Sequence, residues 1–129
     1  MKTLILAGAG LLALLAVADS ALAADASHGQ TLFRTQCGVC HMAAEGDGDG
    51  GQGPSLKGVV GRKVGGDPDF GSYTQALMDD KDTWTQDSLA AFLENPQKTI
   101  PGTAMPIHVP AAADRADIAA YLATVKAAP

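Results

Sequence analysis

The stretch Cys37-Gly38-Val39-Cys40-His41 restricts this chain more than any other, because it sets the only two cysteines three positions apart with a histidine directly behind the second. A structural disulfide between them would close so short a loop that it restrains little unfolded-chain entropy. A thioredoxin-like dithiol needs a preceding strand and a βαβ pattern, and the flanking sequence offers neither. Zinc would need Cys37 and Cys40 with two of His28, His41 and His108, yet no second ligand pair follows at finger spacing.

The reading that fits is covalent haem attachment, for which C-x-x-C-H is the signature. Two thiols on one turn can each form a thioether with one of the macrocycle's two vinyl groups. The next side chain then turns its imidazole toward the iron, which makes His41 the expected proximal ligand.

Lys2, the apolar run from Leu4 to Val17 and the small residues Ala21-Leu22-Ala23 have the form of a cleaved export signal over residues 1–23. The run is too short and too interrupted by glycine for a good membrane span. Residues 24–129 are then one domain, near the size at which a single core suffices. Losing Lys2 and Asp19 with the leader keeps the net charge at −5, a surface poorly suited to nucleic acid or anionic membrane. Export also agrees with covalent haem, which is normally assembled in the periplasm.

Three helices are legible. Ser27–Gln36 predicts a short one, with Ser27 as its cap and Gly29, Phe33 and Cys37 stacked at spacing four. Gln86–Glu94 predicts a second, capped by Thr85, buried through Leu89, Phe92 and Leu93, and stopped at Asn95-Pro96. Ala112–Lys126 predicts the last, with Ile118, Tyr121, Leu122 and Val125 on one stripe and Asp114 and Asp117 toward its positive end. All are too short to stand alone, and Gly29 marks a place where two backbones can cross closely. From Glu45 to Tyr73, glycines and prolines leave no convincing strand. So much irregular chain in a small domain implies a large filler, and a haem would serve. The acidic, glycine-rich segment Glu45–Gly53 imitates the start of a calcium loop, but position twelve from Asp47 is Gly58, so a solvated loop is expected.

The order of motifs resembles the class I c-type cytochromes, the family of mitochondrial cytochrome c and its soluble bacterial relatives. Cys37–His41, Gly53–Arg62, Trp84 and the run Leu93-Glu94-Asn95-Pro96-Gln97-Lys98-Thr99-Ile100-Pro101-Gly102-Thr103-Ala104-Met105 carry the likeness across essentially all of residues 24–129. It implies an all-α cytochrome c fold of about three to five short helices and long loops wrapped around one covalent haem c. It also implies Met105 as the distal ligand, presented by Pro101-Gly102-Thr103, ahead of Met42 and Met78. By the same likeness Pro54 accepts the hydrogen bond from the other ring nitrogen of His41, and Arg62, Tyr73, Trp84 and Thr103 bind and shield the haem propionates. His108 reads as a surface-loop residue. The chain departs from the family at Phe92, where tyrosine is frequent, and at Ala104, commonly lysine, so docking to acidic partners is not carried over.

With His41 and Met105 both on the iron, no coordination position is left for a substrate, and the expected role is an electron carrier rather than an enzyme. The expected protein is a periplasmic, monomeric monohaem cytochrome without stable membrane insertion. It would take electrons from a dehydrogenase or quinol-oxidising complex and pass them to an oxidase or reductase. The alternatives are a dedicated cytochrome subunit of one oxidoreductase and a haem peroxidase with a labile sixth ligand.

Overall fold

The computed structural model describes residues 23–127, so the predicted export leader, Ala23 excepted, lies outside the described residues. Five α-helices form and no strand does among the described residues: α1 (Ala26–Leu32), α2 (Gln75–Asp79), α3 (Gln86–Glu94), α4 (Pro96–Thr99) and α5 (Ala112–Thr124). One isolated antiparallel bridge, Lys63 with Thr83, pins the long central loop. The all-α expectation therefore holds, at the upper end of the helix count.

Capping sets most of the helix starts. Asp25, not Ser27, caps α1: its Oδ1 accepts from the amides of Ser27 and His28 at 2.9 and 3.2 Å. In α3 the box is reciprocal, with the Ser88 amide donating to Thr85 Oγ1 at 3.0 Å and the Thr85 amide donating to Ser88 Oγ at 2.8 Å. Asn95 caps α4, where Pro96 at the first position loses no hydrogen bond. No side chain caps α5. Arg115 instead donates to the carbonyls of Val109 and Pro110 at 2.9 and 2.6 Å and so fixes the turn that leads into that helix.

The first helix is not continuous. After Leu32 it widens into a π-turn over Phe33–Cys37, closed by the Gly38 amide donating to the Phe33 carbonyl at 2.8 Å. A π-turn accommodates an extra residue and shifts the helical phase of the residues beyond it, a distortion that simple period counting does not register.

Helix α5 packs chiefly on α1 and then on α3. The crossing with α1 is at Gly29, where a methyl group would meet the Asp117 carbonyl oxygen at 1.9 Å, as the sequence led us to expect. Phe33, Val59, Leu93, Ile118, Tyr121 and Leu122 are among the core side chains. On the last helix Ile118, Tyr121 and Leu122 are buried, whereas Val125 is its half-buried C-cap. The irregular residues 42–74 are held by single backbone bonds to these helices and loops, such as Gly58 to Val125 at 2.9 Å and Gly61 to Trp84 at 2.8 Å.

Candidate functional site

The Cys37 carbonyl accepts from the amides of Cys40 and His41 at 3.0 and 2.9 Å, which coils Cys37–His41 into one tight turn just beyond the π-turn. Both thiols and the imidazole thereby line a single cavity of about 390 Å³. Its wall is mostly apolar and includes Phe33 from the π-turn, Leu77 from α2, Phe92 and Leu93 from α3, and Trp84 from the loop before α3. Met105 also lines it, from the middle of the loop that joins α4 to α5.

His41 is oriented from behind. Its Nδ1 lies 2.7 Å from the Pro54 carbonyl oxygen, which can only accept, so Nδ1 carries the proton and Nε2 keeps a free lone pair. Burial holds the imidazole below its ordinary value, partly offset by that hydrogen bond, so the ring stays neutral at pH 7. Gly53 allows this approach: a methyl group there would lie 2.3 Å from His41 Cε1.

The Cys37 thiol is not built for redox exchange. Burial pushes the Cys37 thiol up to about 11, with Cys40 adding to the shift. A reactive dithiol needs the opposite, a thiolate stabilised near neutral pH.

Side chains tie down the backbone of the Met105 loop. The Met105 amide donates to Thr103 Oγ1 at 3.3 Å, and Gln97 Nε2 reaches across to the Thr103 carbonyl at 2.5 Å. Thr103 is buried and lines the cavity.

Arg62, Tyr73 and Trp84 line the same cavity. The guanidinium of Arg62 spends Nη1 and Nη2 on the carbonyls of Lys57 and Ser55, at 3.2 and 2.6 Å. Its Nε is buried with no partner among the described residues, and so is the hydroxyl of Thr74. Two buried polar groups without partners on the wall of an apolar cavity call for polar substituents on whatever fills it. Tyr73 receives the Asp67 amide on its hydroxyl oxygen at 3.2 Å, which leaves its O–H for another acceptor. An apolar slot with two thiols, one neutral imidazole, one thioether and unspent donors at Arg62, Thr74 and Tyr73 fits a haem with its two acidic side chains.

Sequence reasoning missed one polar residue of the cavity wall, Thr74, and two buried carboxylates outside it, Asp67 and Asp47. Thr74 sits at the N-cap of α2, where its side chain makes no capping bond. Asp67 is buried and accepts from the amides of Ser55 and Asp69 at 2.8 and 3.1 Å. Asp47 is the one exception to the solvated loop expected over Glu45–Gly53, in which Glu45, Gly46, Asp49, Gly51 and Gln52 are exposed. It is fully buried, because Gln30, Arg34 and Tyr121 converge on its carboxylate from helices far away in sequence. No local signal distinguishes it from Asp49, which is exposed. His28 and His108, weighed as metal ligands, lie outside the cavity: His28 pairs with Asp117 at 2.8 Å and His108 is exposed. Met42 does not line it either, and Met78 is exposed.

A family model described as Cytochrome c matches residues 26–126. The cytochrome c of Tetrahymena pyriformis is 41% identical over 102 residues, covering 78% of this chain and 89% of the relative. Cytochrome c2 of Rhodopila globiformis is 43% identical over 108 residues, covering 83% of this chain and 99% of the relative. Among solved structures, cytochrome cH from Methylobacterium extorquens matches with a TM-score of 0.68 at 38% identity, over 78% of this chain and 98% of that one. These relatives are spanned nearly end to end, so the likeness extends to whole proteins and not to the attachment motif alone. Fold, cavity and relatives agree: this chain belongs to the cytochrome c family, as a class I c-type cytochrome that carries one covalent haem c and transfers electrons instead of transforming a substrate.

Proposed function

We propose that this protein is an exported periplasmic electron carrier whose iron is held between His41 Nε2 and the Met105 sulfur, with the haem joined to Cys37 and Cys40. The observation that carries this reading is the convergence of both thiols, His41 and Met105 on one apolar cavity, with His41 fixed by the Pro54 carbonyl. The haem supplies the one-electron couple. The chain supplies fixed ligands, a neutral imidazole made more basic by its hydrogen bond, and a wall that excludes water. With Met105 as a ligand, its thioether would favour the reduced state and raise the potential. Arg62 Nε, Thr74 and Tyr73 supply donors for the propionates, with Trp84 and Thr103 shielding them.

Cleavage after Ala23 would release residues 24–129, and none of the described helices is long and apolar enough to cross a membrane. The carrier acts as a monomer between a dehydrogenase or quinol-oxidising complex and a terminal oxidase or reductase, through small and transient contacts. The test is an absorption spectrum of the holoprotein made in a host competent for cytochrome maturation. The expected result is haem retained in denaturant and a methionine-to-iron charge-transfer band in the ferric state. Strong binding of carbon monoxide by the reduced protein at neutral pH would overturn the six-coordinate assignment.

A further inference from the structure

Asp47 is a carboxylate with no exposed surface, set in the middle of a glycine-rich loop. Gln30 Nε2 donates to its two oxygens at 3.2 and 3.1 Å, Arg34 Nε to Oδ1 at 2.5 Å, and the Tyr121 hydroxyl to Oδ2. Donors from α1, the π-turn and α5 thus meet on one side chain. An apolar residue could fill this volume without the cost of burying a charge, so what the carboxylate adds is direction: it fixes one register of the loop against three segments.

That loop lies on the back of the attachment turn. The Asp49 amide donates to the Gly38 carbonyl at 3.1 Å, and the Gly53 amide donates to the Cys40 carbonyl at 2.9 Å. Gly48, at φ +150°, fits so closely that a methyl group there would lie 2.3 Å from the His41 carbonyl oxygen and 2.6 Å from that of Gly38. The loop then ends on Pro54, whose carbonyl accepts from His41 Nδ1. Residues 44–54 form a strap with its anchor at Asp47 and its working end at the imidazole.

We propose that Asp47 is a positioning residue for the proximal ligand: by anchoring the strap to α1 and α5 it holds the Pro54 carbonyl against His41 and so helps to set the reduction potential. The inference rests on His41 being the iron ligand. Loosening the anchor weakens the His41–Pro54 hydrogen bond, makes the imidazole a poorer donor to ferric iron, and raises the potential.

The experiment uses the mature haem-loaded protein with two variants, Asp47→Asn and Tyr121→Phe. The second leaves every formal charge in place and keeps the ring that packs 5.7 Å from Phe33, so it separates positioning from a simple charge effect. Both variants are expected to keep the histidine–methionine spectrum, to shift the potential upward, and to change the spread of the haem methyl proton resonances of the ferric protein, which report the orientation of the axial ligands. If Asp47→Asn fails to fold, Tyr121→Phe carries the test alone. Variants that unfold more readily yet keep the parental potential and methyl pattern would reduce Asp47 to a structural role and overturn the proposal. A parental protein whose spectrum lacks histidine–methionine ligation would overturn the functional reading itself, before any variant is made.

Discussion

Gly29 rests directly on the peptide carbonyl of Asp117, so closely that a methyl group on Gly29 would sit 1.9 Å from that oxygen. The same short stretch of α5 also supplies the Asp117 carboxylate to α1, where the Asp25 amide donates to Oδ1 at 2.7 Å and His28 Nδ1 lies 2.8 Å from Oδ2. One crossing thus joins the segment that bears the attachment turn to the helix that closes the core.

Gly29→Ala should be among the most damaging single substitutions outside the cavity. Overpacking costs about 1–3 kcal/mol where side chains can yield. Here the obstacle is backbone, so a loss near the top of that range, about 3 kcal/mol, is expected in guanidinium unfolding of the holoprotein. A loss well below about 1 kcal/mol would mean that the two helices separate without penalty.

The His28–Asp117 pair predicts a pH window. The hydrogen bond to Asp117 raises His28 above its ordinary 6.5, and the bond to His28 lowers Asp117 below 3.8. For the histidine, the stabilisation is complete below 6.5 and lost as pH rises through its elevated folded value. For the aspartate, it is present above 3.8 and lost as pH falls through its depressed folded value. Asp25 and Asp114 add to the field that favours protonated His28. His28→Ala should therefore lower the melting temperature at about pH 5.5 and narrow its difference from the parent toward about pH 9. A difference that does not change with pH would remove the ion pair from the account.

Met105→Ala should lower the reduction potential, because water or another replacement ligand favours ferric iron more than a thioether does. The ferric charge-transfer band should vanish and the reduced protein should gain carbon monoxide binding. An unchanged potential in a redox titration would assign the sixth ligand elsewhere.

Gln97→Glu tests how the Met105 loop is held. The amide nitrogen of Gln97 donates to the Thr103 carbonyl, whereas an ionised glutamate would set an acceptor against an acceptor. Gln97→Ala should cost about 1 kcal/mol and Gln97→Glu more, of order 2 kcal/mol. The measurement is the temperature at which the methionine band disappears, compared with that of global unfolding. Equal effects of the two substitutions would show that the contact adds nothing specific.

Local chemistry made several elements legible before any fold was known. The Thr85 cap and the Asn95-Pro96 stop bound α3 at Gln86–Glu94, because capping is settled by residues within one turn. The cavity residues Cys37, Cys40 and His41 were legible because attachment depends on a short fixed spacing, whereas Pro54, Thr103 and Met105 were reached only through the resemblance to the class I c-type cytochromes. The break of the first helix at Phe33 was not, since a π-turn leaves the apolar spacing of its sequence nearly unchanged. The same holds for Asp25 as the true cap: Asp25 and Ser27 are equally good capping types, and the position of α5, through Asp117, selects between them.

By itself the chain's order of residues determined a covalent haem site, an all-α class, the places where helices can start and stop, and the lack of strand-forming chain between residues 45 and 73. Only the tertiary structure decided which polar groups are withdrawn from water. Asp47, Asp67 and Thr74 are ordinary loop residues to a reader of the sequence, and each is made special by partners or a cavity wall contributed from elsewhere in the chain. Burial and the donors that compensate it depend on segments meeting across the core, and that information is not held within any one turn of the chain.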